Sequence, residues 1–351
     1  LAAFDPGVDA FTGTLLFLEG HRQNSATFGA ARESSDLVRF GQLTPAFVLQ
    51  TLAPLLLVFL GFASIARERE RGSLRALAAY GAGAWLILGG KALALGVAAV
   101  LAMAPAFAAL AWAAVQQPGE AGIAALTALS YSGYLLVWVL VITAVSALAA
   151  SAQGALVTLI AAWAIVVVLV PRAAAAWVGV AEPLPSRVDT EFAIAADLRR
   201  IGDSHNPNDP HFAAFKAKLL KRYGVTRVED LPFNYRGVLA QEGERLTSQL
   251  FKDYAARAAA IQNAQTDTLT ALGIISPALA VRRASMTGAA TDLGTHLAFL
   301  AAAEAYRYDM VQKLNGLQAS AVASADDAAR SKDPIADRRT RISADFWKTI
   351  P

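Results

Sequence analysis

Four side chains able to ligate a divalent metal, Asp203, His205, Asp209 and His211, crowd into nine residues of this chain. Carboxylate oxygens and imidazole nitrogens at such spacing are zinc-type donors. The residues between them favour a plainer reading. Asn206, Pro207, Asn208 and Pro210 are turn formers, and Asp209 before Pro210 has the pattern of a helix cap. The stretch is therefore read as a turn, with no metal assigned. The apolar segments hold no serine–histidine pairing and no His-Glu-x-x-His run, so an intramembrane hydrolase is set aside. They also lack an acidic relay of the kind proton-driven carriers use, and the chain has no phosphate-binding Gly-x-x-x-x-Gly-Lys loop. The chain is expected to be no enzyme and to hold no cofactor of its own.

Within the apolar stretches, Lys91 and the cluster Ser130, Tyr131, Ser132 and Tyr134 have chemistry to offer. A charge at membrane depth is costly and often functional. Lys91 lies within about two turns of its segment's end, from where a lysine stem reaches the interface. The hydroxyls fit either the lining of a translocation path or hydrogen bonds between helices. Ser130, Tyr131, Tyr134 and Lys91 are the candidates for such a path.

The densest chemistry is the run Arg67, Glu68, Arg69, Glu70, Arg71, Gly72, Ser73, Leu74, Arg75 and Leu77, directly behind a long apolar stretch. Gly72 is expected to interrupt the incoming helix and Ser73 to cap a new one. The new helix should end before Gly81 and Gly83, with Leu74 and Leu77 as its apolar edge. Arg67, Arg71 and Arg75 recur every four residues, so an unbroken helix would align them. Like charges at that spacing repel by about 0.2–0.5 kcal/mol per pair. An anionic counterpart explains the stripe better than helix stability does. On charge alone, lipid headgroups under the positive-inside rule are an equal reading.

These residues need elements to hold them. The chain has 351 residues, is 55% hydrophobic and has a mean hydropathy of +0.41, too apolar for an ordinary soluble enzyme. Of its 59 Asp, Glu, Lys and Arg residues, 42 fall in residues 181–351, so a membrane part precedes a water-facing part. That second part nearly balances 22 basic against 20 acidic residues, which gives no sign of nucleic-acid binding. Cysteine is absent, excluding disulfides and thiolate metal sites.

A helix needs roughly 20 apolar residues to cross about 30 Å of hydrocarbon. Residues 46–66, 84–115, 123–150 and 155–180 qualify, and the short gaps between the last three make antiparallel neighbours. Arg67, Arg69, Arg71, Arg75 and Lys91 cluster at the first gap, which places that loop in the cytoplasm. Residues 1–45 and everything after 180 are then extracytoplasmic. Phe346 and Trp347 read as an interface anchor leading into the bilayer. One further span before Leu1 and one after Pro351 are expected, six in the full protein.

The outer region, 181–351, reads as helical. Asp209-Pro210 starts a helix and Gly224 stops it. Leu239, Leu246, Leu250, Tyr254, Ala258 and Ile261 mark a long helix over about 235–272. Leu293, Leu297, Leu300, Met310 and Leu314 mark another, and 319–333 reads as a linker rich in Ala, Ser and Asp. No repeat and no alternating run long enough for a sheet is present. The fold class is an all-α integral membrane protein, a polytopic bundle with a mainly helical extracytoplasmic domain.

The string Glu68-Arg69-Glu70-Arg71-Gly72-Ser73-Leu74, with Gly89-Gly90-Lys91 after it, resembles ABC-2-type transporter permeases. The likeness extends to a subgroup with a large extracytoplasmic insertion, domain of unknown function 3526. It is carried by Leu37-Val38-Arg39-Phe40-Gly41-Gln42-Leu43-Thr44-Pro45-Ala46-Phe47, His205-Asn206-Pro207-Asn208-Asp209-Pro210-His211-Phe212, Asn234-Tyr235-Arg236-Gly237, Gln241-Glu242-Gly243-Glu244 and Ser276-Pro277-Ala278-Leu279-Ala280. In that family the stretch matching 67–78 is a coupling helix that docks on an ATPase subunit.

The resemblance implies a permease subunit in the inner membrane of a bacterium, an exporter or extractor, with its large domain in the periplasm. Its expected partners are cytoplasmic ABC ATPase subunits, which would bind the ATP and Mg, a second permease subunit (identical or homologous) and membrane lipids. A periplasmic protein is a further candidate. A membrane-anchored scaffold or sensor whose outer domain binds a partner without transport is the alternative. A neighbouring gene for an ATPase would favour the permease.

Overall fold

The computed structural model describes residues 1–12, 16–19, 43–206 and 208–323. Residues 37–42 of the resembling stretch, Pro207, residues 324–333 of the expected linker and the aromatic end 346–351 lie outside them. Every extended element among the described residues is a helix.

Four helices are long and apolar enough to cross a membrane: Pro45–Glu70, Ala84–Gln116, Pro118–Leu148 and Ala152–Ala181. They coincide with the four expected spans, the third starting a little earlier because Pro118 opens a 3-10 turn that runs into it. All-α and polytopic is therefore the fold class. The first and third spans are the most enclosed and the fourth the least. Leu57 and Val58 of the first span meet Ile142 and Leu135 of the third in one core, together with Leu95 and Met103 of the second. A Cβ on Gly61 would fall 2.6 Å from an Ile142 methyl and 2.8 Å from a Leu95 methyl, so any larger residue would force those side chains of the third and second spans to shift. Close backbone packing of this kind matters because lipid is as apolar as the side chains it would replace.

Two spans carry a π turn, Val48–Leu52 in the first and Ala164–Leu169 in the fourth. Each runs into a proline, Pro54 and Pro171, which has no N–H to give and whose ring crowds the preceding turn. The widened turns leave carbonyls short of helical partners. Neighbouring side chains supply them: Tyr134 Oη donates to Gln50 O at 2.8 Å and Trp163 Nε1 to Thr51 O at 3.0 Å. Ser276 Oγ donates to Val166 O at 3.0 Å. Inside a bilayer such groups have no water to turn to.

The described residues fall into two compact groups. The group holding the spans takes in 1–12, 43–184 and 259–299; the other holds 16–19, 185–258 and 300–323. The ends of Tyr235–Leu272 and Leu293–Ala321 fall in the group of the spans, and Pro277–Gly288 packs on the third span, where Ala278, Val281 and Ser285 are buried.

In the second group, Ser186 caps Arg187–Ile201, a helix without a buried residue that the sequence pattern does not announce. Pro210–Tyr223 begins after Asp209 and stops at Gly224 in the left-handed region (φ 67°), as expected. Tyr235–Leu272 and Leu293–Ala321 cover the two anticipated long helices. They cross where a Cβ on Gly237 would lie 2.4 Å from Ala319 N. Their main buried link is ionic. Arg307 pairs with Glu304 at 2.7 Å and Glu244 at 2.7 Å, donates to Glu19 O at 2.9 Å, and all three ionic side chains are nearly fully buried. Hydrogen bonds to Glu304 and then Glu244 hold the guanidinium well above its ordinary pKa.

Candidate functional site

The elbow after the first span is a sequence of short, separately capped pieces. A turn over Phe62–Ile65 leads to helix Ala66–Glu70, Gly72 breaks the chain direction at φ 75°, and helix Ser73–Ala79 follows. Gly81 (φ 86°) stops that helix ahead of the second span, as expected. Gly72, not Ser73, is the N-cap; Ser73 is already helical, and its hydroxyl reaches back to Glu68 O at 3.2 Å. With the break at Gly72, Arg67 and Arg71 stand before the turn and Arg75 after it, so no continuous helix carries the three.

Half of the elbow's charge is used inside the protein. Ser146 Oγ, fully buried in the third span, accepts the N–H groups of Ile65 (3.0 Å) and Ala66 (3.2 Å), taking up donors that a helix start leaves unpaired. Arg69 donates to the carbonyls of Ala147 and Ala149 at the end of the third span. Glu70 Oε1 accepts Ala152 N at 2.9 Å, at the start of the fourth. Lys91 of the second span pairs with Glu68 at 2.5 Å, both half-buried. The elbow is thereby braced against three spans.

What remains faces outward. Arg67 stacks 6.0 Å from the Phe62 ring centroid, Arg71 and Arg75 are exposed, and helix Ser73–Ala79 has no buried residue. None of the three arginines meets a carboxylate among the described residues. Leu77 is exposed and Leu74 half-exposed, the apolar edge the sequence suggests. Tyr80 and Trp85 project beside them at 91% and 86% exposure, in keeping with aromatic side chains at a membrane interface.

The path candidates separate. Ser130 and Ser132 donate to Leu126 O and Ala128 O on their own helix, each at 2.8 Å. Tyr131 is fully buried: it donates to Ser285 Oγ at 2.8 Å and accepts from Gln50 Nε2 at 2.8 Å. Tyr134 is buried on the Gln50 carbonyl. The tyrosines are thus interhelical links, and Lys91 sits apart from them with Glu68.

The four metal-type residues form the turn instead. Asp209 accepts from Asp203 N (3.0 Å), His211 N (2.9 Å) and Phe212 N (3.1 Å), and these N–H groups hold its carboxyl below the usual range. Asp203 accepts from His205 N at 2.8 Å, and the His211 ring lies 3.3 Å from Glu242. Residues that reasoning from sequence missed are Ser146, Gln50 and Ser285. They are single polar residues in or near apolar helices, and only the partner across the bundle reveals their use.

Comparison with known proteins bears on one part of the chain. No curated protein and no solved structure matches it. Residues 190–351 match the family described as Domain of unknown function (DUF3526), a likeness confined to the part that follows the four spans.

Proposed function

We propose that the chain is the membrane permease subunit of a bacterial ABC transporter of the ABC-2 type, which couples ATP hydrolysis by a separate ATPase to substrate movement across the inner membrane. The observation that carries this reading is the helix Ser73–Ala79, which projects from the spans with no residue buried in its own chain. It presents Leu74 and Leu77 beside Arg71 and Arg75, a surface suited to an acidic groove with an apolar floor. The elbow's likeness to the coupling helix and the DUF3526 match support the same reading.

The braces supply a mechanism. Closure of two ATPase subunits would press on the elbow. Glu68 would pass that movement to the second span through Lys91, and Arg69 and Glu70 to the turn joining the third and fourth. Two permeases, identical or homologous, would open the path between them, and the domain after the spans would meet substrate or a periplasmic partner. No covalent step falls to this chain.

Leu74→Asp tests the docking. A carboxylate buried at the contact, next to the partner's acids, is expected to abolish co-purification of the ATPase and its stimulated activity. Unchanged co-purification and activity would refute the docking role.

A further inference from the structure

Helix Pro277–Gly288 belongs to the charge-rich half of the sequence, yet it packs along the spans. Just before it, Ser276 Oγ donates to Val166 O, midway along the fourth span. Further along, Ser285 accepts from Tyr131 of the third span, and Ala278 and Val281 are buried in the same core as Leu49 and Tyr131. A helix of 12 residues is too short to cross a bilayer. Reaching that depth makes it a re-entrant element, tolerated because protein covers one side of it. Ile274 and Ile275 at its leading turn are 90% and 71% exposed, as side chains facing lipid would be.

This helix brings two arginines to a cavity of about 360 Å³. The walls are apolar: Pro171 and Ala175 of the fourth span, then Leu269, Leu279 and Met286. Arg283 gives one N–H to Thr266 O, Arg282 is exposed, and neither has a carboxylate partner among the described residues. Among the described residues the one acid in the lining is Asp292, and it is already engaged, accepting from Thr295 N at 3.2 Å and Thr295 Oγ1 at 2.9 Å. Two guanidinium groups beside an apolar cavity at the edge of the hydrocarbon call for an anion with an apolar tail.

We propose that this cavity holds one acidic phospholipid, its phosphate on Arg282 and Arg283 and an acyl chain against Ala175, Leu279 and Met286. The lipid comes from the leaflet farther from the elbow. The elbow meets the fourth span at Ala152, whereas Pro171 and Ala175 lie toward that span's other end. The site stands whether or not the chain works as a permease.

The test uses the full chain, purified from nanodiscs of phosphatidylglycerol and phosphatidylcholine in equal parts, with retained lipid identified by native mass spectrometry. The chain should keep phosphatidylglycerol over phosphatidylcholine by about tenfold, because the choline cation beside the phosphate of phosphatidylcholine opposes the two guanidinium groups, whereas phosphatidylglycerol offers them a net negative charge. The double variant Arg282→Gln/Arg283→Gln should lose that preference. Ala175→Trp, which leaves both arginines and fills the cavity from the fourth span, should lose the lipid altogether. Excess inorganic phosphate should not displace it. Equal retention of both lipids by the unaltered chain, or an unchanged preference in both variants, would overturn the proposal. Displacement by inorganic phosphate would also overturn it, leaving a simple anion site.

Discussion

Glu70 Oε1 accepts the backbone N–H of Ala152 at 2.9 Å, so an acid of the elbow caps the start of the fourth span. Ser151 Oγ accepts Gly154 N at 3.0 Å on the same turn. The first N–H groups of a helix have no partner within it, and a cap contributes about 0.5–2 kcal/mol. Glu70→Ala should therefore lower the stability of the purified protein by about 1 kcal/mol, read as an earlier thermal transition. In an assembled complex it should also weaken coupling while leaving ATPase binding intact, since Glu70 faces the fourth span.

The Glu68–Lys91 pair predicts a signature that a surface ion pair would not give. Both groups are half-buried at the end of a span, so removing one leaves the other partly desolvated and alone. Lys91→Met alone should destabilise more than Lys91→Met combined with Glu68→Gln. A thermal-denaturation cycle measures this, and strictly additive effects would remove the pair as a brace.

Arg307 answers two buried carboxylates, Glu244 and Glu304. Arg307→Met should cost about 3–5 kcal/mol, because it strands both acids without a counter-charge. Circular dichroism melts should show the loss. Adding Glu244→Gln should recover part of it, since one uncompensated charge is then removed.

Asp209 gives a pH dependence with a defined sign. Its carboxyl is held below the usual range by the N–H groups of Asp203, Phe212 and His211. A depressed folded value contributes stability that is full above the unfolded value of about 3.9 and is lost as pH falls through the lowered one. Stability of the unaltered protein should decline as pH drops from about 5 to about 3. Asp209→Ala should start lower and decline less over the same range.

Much of this architecture was legible from local chemistry. Apolar length located the four spans, Gly72 located the break, and Asp209-Pro210 with Gly224 bounded a helix in the second group. What was not legible depends on partners distant in sequence. Ser73 looked like a cap because hydroxyls usually serve so. Gly72 in the left-handed region took the cap position and turned Ser73 back to Glu68. Helix Pro277–Gly288 falls in the charge-rich part that reads as water-facing, and it carries Arg282 and Arg283. Its place beside the third span comes from Ala278, Val281 and Ser285 on the opposite face, too few residues to stand out as a pattern. The path candidates are ambiguous for the same reason: a tyrosine in an apolar helix lines a path or binds a neighbour, and the hydrogen bonds of Tyr131 and Tyr134 to Gln50 are visible only in the fold.

The proposed function requires the elbow to lie in the cytosol under an ATPase, and a chain without cysteine allows its side to be read directly. Leu77→Cys gives a single thiol on helix Ser73–Ala79, to be challenged with a membrane-impermeant maleimide in intact cells and in inverted membrane vesicles. No labelling is expected in intact cells, labelling in vesicles stripped of peripheral proteins, and protection when the ATPase is kept in place. Labelling from outside intact cells, or equal labelling of stripped and unstripped vesicles, would contradict it.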